Sequence, residues 1–442
     1  MDGKRIQEDI QRLKTSATKL SGSSEAVRNA LLHSIREGLS RDWPLIKEAN
    51  QKDLQAARED HLADALLSRL LFDEEKLASV QLGLDQVAKL SDPIGQVLER
   101  RLLDEGLLLE RVSFPIGVIG MIFEARPDAL VQIVSLCLKS GNGIILKGGK
   151  EAFRTNTALV ASIKKSAKSS PLGEDWLLLL ESHSDVSSML KMDDAIDLLI
   201  PRGSNAFVRY VMDNTHIAVL GHADGICHMY VDARADLKKA VACAVDAKTQ
   251  YPSACNTIET LLVHRSVAKE FIPLVSSALV KRGVTIHGDE ESASLVSCTP
   301  YKDGDYSLEY LSLDLNIRVV DDLDEALAHI AKYGSNHTDA IISEDKSAIR
   351  RFMREVDSAD VFANCSTRFA DGFRFGLGAE VGISTAKIHA RGPVGLSGLM
   401  SSKWLLNGSG QTVAHYSGAA AKPFLHTELD CEGESLVGGE LL

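Results

Sequence analysis

Apolar positions in the first hundred residues recur at helical spacing. In the stretches 26–35 and 62–71 they fall three or four residues apart, with charged residues on the opposing faces, so we predict a helical lead-in. Between residues 96 and 115 the pattern changes. Leucine pairs and triplets there flank the turn Asp104-Glu105-Gly106, which predicts two strands joined by a short hairpin.

From residue 116 onward, short apolar runs alternate with amphipathic stretches. The predicted strands are 117–123, 143–147, 176–181, 196–201 and 217–220. The predicted helices between and after them are 128–139, 155–168, 186–191 and 206–212. Such repetition predicts a Rossmann-like, doubly wound parallel sheet, with ligands at the carboxyl ends of its strands.

A second alternation begins near Met229 and predicts another α/β lobe. Its predicted helices are 237–247, 267–281 and 324–333, and its predicted strands are 258–263 and 317–320. The last residues, 423–442, are polar and rich in Glu and Gly, so we predict a flexible tail.

Composition narrows the class of protein. A chain of 442 residues exceeds the size at which one core stops growing, so we expect two or more lobes. The net charge of -12 disfavours a nucleic acid or an anionic membrane as partner. Neither a signal-type apolar core nor a membrane-spanning run is visible, so we expect a cytoplasmic location. The seven cysteines lack Cys-x-x-Cys pairs and zinc spacing, which predicts reduced thiols and no metal site.

One cysteine lies where a catalytic thiol is expected. Cys255 falls in a loop, 248–257, between a predicted helix and a predicted strand, and its neighbours are small or polar. Backbone N–H groups at such a turn stabilise a thiolate or an oxyanion. By itself a loop cysteine is more often structural than nucleophilic.

Several motifs follow one another in an order that resembles that of the aldehyde dehydrogenase superfamily. They are Lys147-Gly148-Gly149-Lys150, Gly203-Ser204, Leu220-Gly221-His222, Cys255 and Glu309-Tyr310-Leu311. The strings 123–127, 200–205, 221–228, 333–339, 369–373 and 389–396 resemble, more narrowly, the gamma-glutamyl phosphate reductase family. The resemblance extends to about Tyr416.

The resemblance implies an α/β, aldehyde dehydrogenase-like fold with three parts. These are a Rossmann-like NADP-binding domain (1–98 and 114–225), an α/β catalytic domain (226–401) and a β-hairpin oligomerisation arm (99–113 and 402–417). Residues 418–442 then form the tail. A homodimer or homotetramer is expected from the arm.

For the cofactor, the resemblance implies that Lys147 contacts the adenosine ribose. Lys150 stands where NAD-preferring relatives often carry a glutamate, so a cation that attracts a 2′-phosphate favours NADPH. The alternative is a solvated surface lysine. Gly203 and Ser204 would face the cofactor diphosphate at a helix start. Glu309 would hold the nicotinamide ribose.

The implied reaction is the reduction of L-glutamate 5-phosphate to L-glutamate 5-semialdehyde, with release of phosphate, through a thioester on Cys255. Hydrolytic relatives carry a glutamate where this chain has Val219, so efficient hydrolysis is not expected. The relatives' oxyanion asparagine is also replaced here. We therefore expect the N–H of Cys255 and the side chain of Asn256 to support the oxyanion.

Three further side chains are substrate-binding candidates. Arg126 would grip the phosphate, or alternatively would pack against the sheet end and pair with Glu124. His389 and Arg391 would reach the substrate carboxylate or phosphate, or would brace their own loop. Two other functions remain open: a hydrolytic semialdehyde dehydrogenase, and an inactive partner of the glutamate 5-kinase that makes the acyl phosphate.

Overall fold

Helices and strands alternate through most of the chain. The computed structural model describes residues 3–124, 126–180, 183–203, 205–221, 224–302, 304–432 and 435–436. The helices up to the first lobe's end are α1 (Gly3–Ser21), α2 (Glu25–Arg41), α3 (Trp43–Glu59), α4 (Asp64–Leu70), α5 (Glu74–Lys89), α6 (Pro127–Lys139), α7 (Phe153–Ala167), α8 (His183–Met189) and α9 (Asn205–Asp213). Those that follow are α10 (Leu237–Thr249), α11 (Arg265–Val280), α12 (Glu290–Leu295), α13 (Leu323–Tyr333) and α14 (Lys346–Glu355).

The strands group into four sheets. The first strands are β1 (Val97–Asp104), β2 (Leu107–Pro115), β3 (Val118–Phe123), β4 (Gly143–Lys147), β5 (Leu177–Leu179) and β6 (Leu198–Arg202). They are followed by β7 (Cys227–Val231), β8 (Ile258–His264), β9 (Thr285–Gly288), β10 (Thr299–Pro300), β11 (Asp314–Val320), β12 (Thr338–Ile342), β13 (Asp360–Ala363), β14 (Gly382–Ser384), β15 (Gly392–Val394), β16 (Met400–Asn407) and β17 (Thr427–Glu428).

The first lobe is a parallel sheet of order β5-β4-β3-β6. Every residue of β3 and β4 is buried, because helices cover both faces of the sheet. Ile119 and Met121 of β3 face the core under α2, α5, α6 and α7, whereas Val118 and Ile122 face the core under α1 and α8. The predicted helical lead-in is confirmed, and its helices supply much of this packing.

The second lobe is a parallel sheet of order β10-β9-β11-β8-β7-β12-β13. Two of its helices, α10 and α13, begin at aspartate caps: Asp236 accepts from the N–H groups of Lys238 and Lys239, and Asp322 accepts from that of Glu325. The predicted lobe is confirmed, although the sequence patterns did not indicate β9, β10, β12 or β13.

The prediction of a strand at 217–220 is wrong. This segment forms only an isolated parallel bridge between Val219 and Leu199, because the chain leaves the edge of the first sheet there and crosses to β7 in the second. The hairpin is confirmed as β1 and β2, and β16 adds to its outer edge in an antiparallel sheet.

Part of the segment predicted as a tail lies along this hairpin. β17 pairs with β1 at Arg101 and Leu102, and Lys422 donates to both carboxylate oxygens of Asp104, at 2.7 and 2.5 Å. Tyr416 also donates to Asp104, at 2.6 Å. The residues up to 432 therefore have specific partners on the arm, which the polar composition of the segment did not indicate.

None of the described helices combines the length and apolar character that crossing a bilayer requires.

Candidate active site

The carboxyl ends of three neighbouring strands form one edge of the first sheet. Phe123 of β3 lies beside Arg202 of β6, and Ile122 lies beside Lys147 of β4, so the residues that follow these strands emerge together. This is the edge at which open parallel sheets bind ligands. Glu124 and Gly203 meet here, because a Cβ on Gly203 would lie 3.2 Å from the carboxyl carbon of Glu124.

The loop that carries Cys255 joins α10 to β8 in the second lobe. Its turn is closed by Ala254 N–H and Thr257 Oγ1, which donate to the carbonyl of Tyr251 at 3.2 and 2.7 Å. The Sγ of the buried Cys227 lies 3.2 Å from the carbonyl oxygen of Cys255 and donates to it. Cys255 itself is half-buried, which leaves its sulfur within reach of a substrate.

Gly225, in the crossover between the lobes, lies directly against this loop. A Cβ on Gly225 would lie 2.2 Å from the carbonyl oxygen of Cys255 and 2.6 Å from Oε1 of Glu309. Glycine is therefore required here by close approach. The same contact brings Glu309 to the Cys255 loop, although the two are 54 residues apart in the sequence.

Asn256 is buried and has a partner at each end of its amide. Its Nδ2 donates to the carbonyl of Ala370 at 2.7 Å, and its Oδ1 accepts from the guanidinium of Arg368. Arg368 also donates to Gln250 Oε1 at 2.9 Å and lies over the Tyr251 ring. Arg368 thereby ties both ends of the Cys255 loop to the turn after β13.

Two guanidinium groups, those of Arg202 and Arg368, interact electrostatically with Cys255. Burial lowers the pKa of Arg202, the carboxylate of Glu380 opposes that shift, and the charges of Arg126 and Cys255 also act on it. Burial likewise lowers the pKa of Arg368, which Arg374 lowers further and Cys255 opposes. Burial raises the pKa of Glu380, whose carboxylate accepts from the N–H of Gly372 at 2.8 Å. The site is thus rich in positive charge, within a chain whose net charge is negative.

The other predicted cofactor residues lie near the ends of β4 and β6. Lys147 is buried and donates to the carbonyl of Gly148 at 2.5 Å, whereas Lys150 is exposed at the start of a 3-10 turn before α7. Gly203 is exposed just before α9. Ser204 and His222 lie outside the described residues.

His389 and Arg391 have local partners. His389 Nε2 lies 2.9 Å from the carbonyl of Gly398, and Arg391 donates to a carboxylate oxygen and the carbonyl of Asp357, at 2.9 and 2.8 Å. These contacts favour the alternative of a loop-bracing role. For Arg126, no ion pair with Glu124 is found in the described part of the chain.

Comparison with known proteins identifies the family. Residues 78–297 match the model of the aldehyde dehydrogenase family. The gamma-glutamyl phosphate reductase of Synechococcus elongatus is 51% identical over 423 residues, which make up 96% of this chain and 98% of that protein. The chain belongs to the gamma-glutamyl phosphate reductase family.

Solved structures agree with this family and with the predicted fold. The crystal structure of the gamma-glutamyl phosphate reductase of Thermotoga maritima matches with a TM-score of 0.91 and 38% identity, covering 92% of this chain and 99% of that one. An engineered glycolyl-CoA reductase with bound NADP+ shares the fold at 14% identity, with a TM-score of 0.63, over 90% of this chain and 96% of that one. As a member of the gamma-glutamyl phosphate reductase family, the chain is an oxidoreductase with an aldehyde dehydrogenase-like fold.

Two arginines of the site were not among the predicted site residues. Arg202 belongs to the string 200–205 that carries the family resemblance, and its position at the end of a strand is a signal that could have found it. Arg368 has no such signal, because it reaches the Cys255 loop only through a contact across 112 residues of sequence.

Proposed function

We propose that the chain catalyses the NADPH-dependent reduction of L-glutamate 5-phosphate to L-glutamate 5-semialdehyde, with release of phosphate, on the route from glutamate to proline. The observation that supports this most is the surroundings of Cys255. Cys255 is half-buried, Gly225 brings Glu309 close to its backbone, and the guanidinium of Arg202 interacts with it electrostatically. A nucleophile among cations suits an acyl substrate that carries negative charge.

The reaction begins with attack of the Cys255 sulfur on the acyl carbon, which forms a thioester as the phosphate leaves. Within the described residues the N–H of Cys255 donates to no protein acceptor, so it is available to the developing oxyanion. Asn256 uses one amide hydrogen on the carbonyl of Ala370, and its second hydrogen is the other oxyanion donor in this proposal. Arg126 contributes positive charge for the phosphate.

The residues at the strand ends suit a nicotinamide dinucleotide. Gly203 carries no side chain at the exposed position before α9, so in this proposal the backbone there approaches the diphosphate closely. Lys147 at the end of β4 and Lys150 after it supply two ammonium groups, and in this proposal Lys150 meets the 2′-phosphate of NADPH. In this proposal Ser204 also faces the diphosphate, and Glu309 holds the nicotinamide ribose. When bound, NADPH supplies the hydride that reduces the thioester, and collapse of the thiohemiacetal frees Cys255.

Val219 supports reduction over hydrolysis. Its side chain is apolar and packs beside the core of the first lobe, where the bridge to Leu199 holds the backbone. A carboxylate at this place would activate water against the thioester. A hydrolytic dehydrogenase is the second candidate, and the phosphate dependence of the reaction separates the two.

Assembly and location complete the proposal. β16 exposes Trp404 and Leu406 on the outer edge of the arm, with 54% and 59% of their surfaces accessible, which fits a homodimer or homotetramer. A cytoplasmic enzyme that consumes an unstable acyl phosphate would gain from association with the glutamate 5-kinase that makes it.

The decisive experiment follows NADPH formation from pyrroline-5-carboxylate and NADP, with and without inorganic phosphate, for the wild type and Cys255→Ser. We expect phosphate-dependent NADPH formation that the substitution abolishes. Turnover of the wild type without phosphate would point to a hydrolytic dehydrogenase. Absence of turnover in every condition would favour the inactive kinase partner.

A further inference from the structure

Arg202 lies at the end of β6 in the edge that receives ligands. Its backbone pairs with Phe123, and its side chain packs toward β14, because a Cβ on Gly382 would lie 3.5 Å from Arg202 Nε and 3.7 Å from its guanidinium carbon. The side chain is half-buried. Two elements, the first sheet and the β14–β15 pair, therefore fix the position of this side chain.

The guanidinium of Arg202 lacks a bonded partner in the described part of the chain, where it forms neither a hydrogen bond nor an ion pair. Glu380, the carboxylate whose charge acts most on Arg202, instead accepts from the N–H of Gly372. A half-buried cation loses part of its hydration without gaining a partner, so such a group is expected where a ligand supplies the missing anion. Arg126 is also without an ion pair here, whereas Arg368 is held by Gln250 and Asn256.

The charges around the thiol fit a dianion. Arg202 and Arg126 provide two unpaired positive charges, and Arg202 interacts electrostatically with Cys255 itself. In an acyl phosphate the phosphoryl oxygen is attached to the carbon that the sulfur attacks. The α-carboxylate of a glutamyl group lies at the other end of that group's carbon chain. A guanidinium that lies at the ligand-binding edge of the sheet, and whose charge acts on Cys255, therefore suits the phosphoryl group, which it can hold with paired hydrogen bonds.

We propose that Arg202 binds the phosphoryl group of the substrate and stabilises the phosphate as it leaves. This inference rests on the proposed function. In the step that Arg202 assists, a bond forms between the sulfur and the acyl carbon. The bond between that carbon and the oxygen attached to phosphorus breaks. The electron pair of that bond departs on the phosphate oxygen, beside the guanidinium. In the reverse direction the same group binds inorganic phosphate as a substrate.

The test measures initial rates of NADPH formation from pyrroline-5-carboxylate at varied phosphate concentration, for Arg202→Gln, Arg202→Lys and the control Arg234→Gln. Arg234 is 75% exposed and follows the carboxyl end of β7, whereas Cys255 precedes the amino end of the neighbouring strand β8. We expect Arg202→Gln to raise the KM for phosphate at least tenfold, with the KM values for NADP and the semialdehyde within twofold of wild type. Arg202→Lys should be intermediate and Arg234→Gln unchanged.

A second measurement covers a variant that turns over too slowly to assay. Alkylation of Cys255 by iodoacetamide is followed at increasing inorganic phosphate, and we expect protection of the wild type at phosphate concentrations that leave Arg202→Gln unprotected. Equal protection of both proteins, or a raised KM for the semialdehyde alone, would overturn the assignment. Wild-type turnover that ignores phosphate would instead overturn the proposed function, and this inference with it.

Discussion

The ammonium group of Lys248 donates to the carboxylate of Glu259 at 2.7 Å, and both side chains are fully buried. Lys248 lies near the end of α10 and Glu259 near the start of β8, so the pair closes the base of the Cys255 loop. Burial lowers the pKa of Lys248 and raises that of Glu259 to about 8, which indicates how strongly each depends on the other for its charge.

Breaking this pair should destabilise the fold. We expect Lys248→Met to lower the free energy of unfolding by about 3–5 kcal/mol, because it leaves a buried carboxylate without its cation. The double variant Lys248→Met, Glu259→Leu should recover part of the loss. Urea denaturation measures both. Lys239 lies on the same helix as Lys248 and forms an exposed ion pair with Glu344, so Lys239→Met is the matched control and should change the midpoint little.

Gly225→Ala should disable the site with limited damage to the fold. The added Cβ would displace the Cys255 backbone or Glu309, and we expect kcat to fall about 100-fold, since misplacement of a reacting group by about 1 Å has that effect. Steady-state kinetics and thermal unfolding separate the two effects. Gly83→Ala in α5, where the Cβ would meet no atom within 4 Å, is the control and should leave kcat unchanged. An unchanged kcat in Gly225→Ala would contradict the contact.

Lys150→Glu should weaken the preference for NADPH over NADH. Exchanging a cation for a carboxylate at the end of β4 removes attraction for a 2′-phosphate and adds repulsion, so the KM for NADPH should rise at least tenfold, about 1.4 kcal/mol, while that for NADH rises less. Lys191→Glu, before the start of β6 at the opposite edge of the sheet, serves as the control. Equal effects on both cofactors would assign Lys150 to the solvated surface.

The stability of the protein should fall as the pH drops below about 6.5. Burial lowers the pKa of His329 to about 2, and the charges of His228, Arg318 and Lys332 add to the shift, so this ring stays neutral in the folded state. In the unfolded chain it gains a proton near pH 6.5. The unfolded state then binds more protons, and the free energy of unfolding decreases by up to about 1.4 kcal/mol per pH unit.

The check is the slope of the unfolding free energy between pH 6.5 and 4.5. His329→Gln should have a shallower slope than wild type, because the group that titrates only on unfolding is gone. His216→Gln, on an exposed histidine, should keep the wild-type slope. Parallel slopes in all three proteins would show that His329 does not contribute.

Local patterns determined the order of elements and the nucleophile loop. The period of the apolar residues predicted the helical lead-in, the hairpin and both α/β lobes, because each element buries one face or one stripe. The motifs around Lys147, Gly203 and Cys255 indicated the family, since they are contiguous in sequence. The strand at 217–220 was wrong, because a short apolar run carries no information about whether a partner strand continues beside it.

Only the tertiary structure decided which distant side chains meet at Cys255. Gly225 joins Glu309 to the thiol loop, and Arg368 reaches Asn256 from beyond β13, through contacts that no local period encodes. The composition of the last residues likewise indicated a tail, whereas Lys422 and β17 attach part of it to the arm. The pattern of apolar residues along the chain predicts which face of an element is buried. The register and crossing of whole elements decide which polar groups that burial brings together.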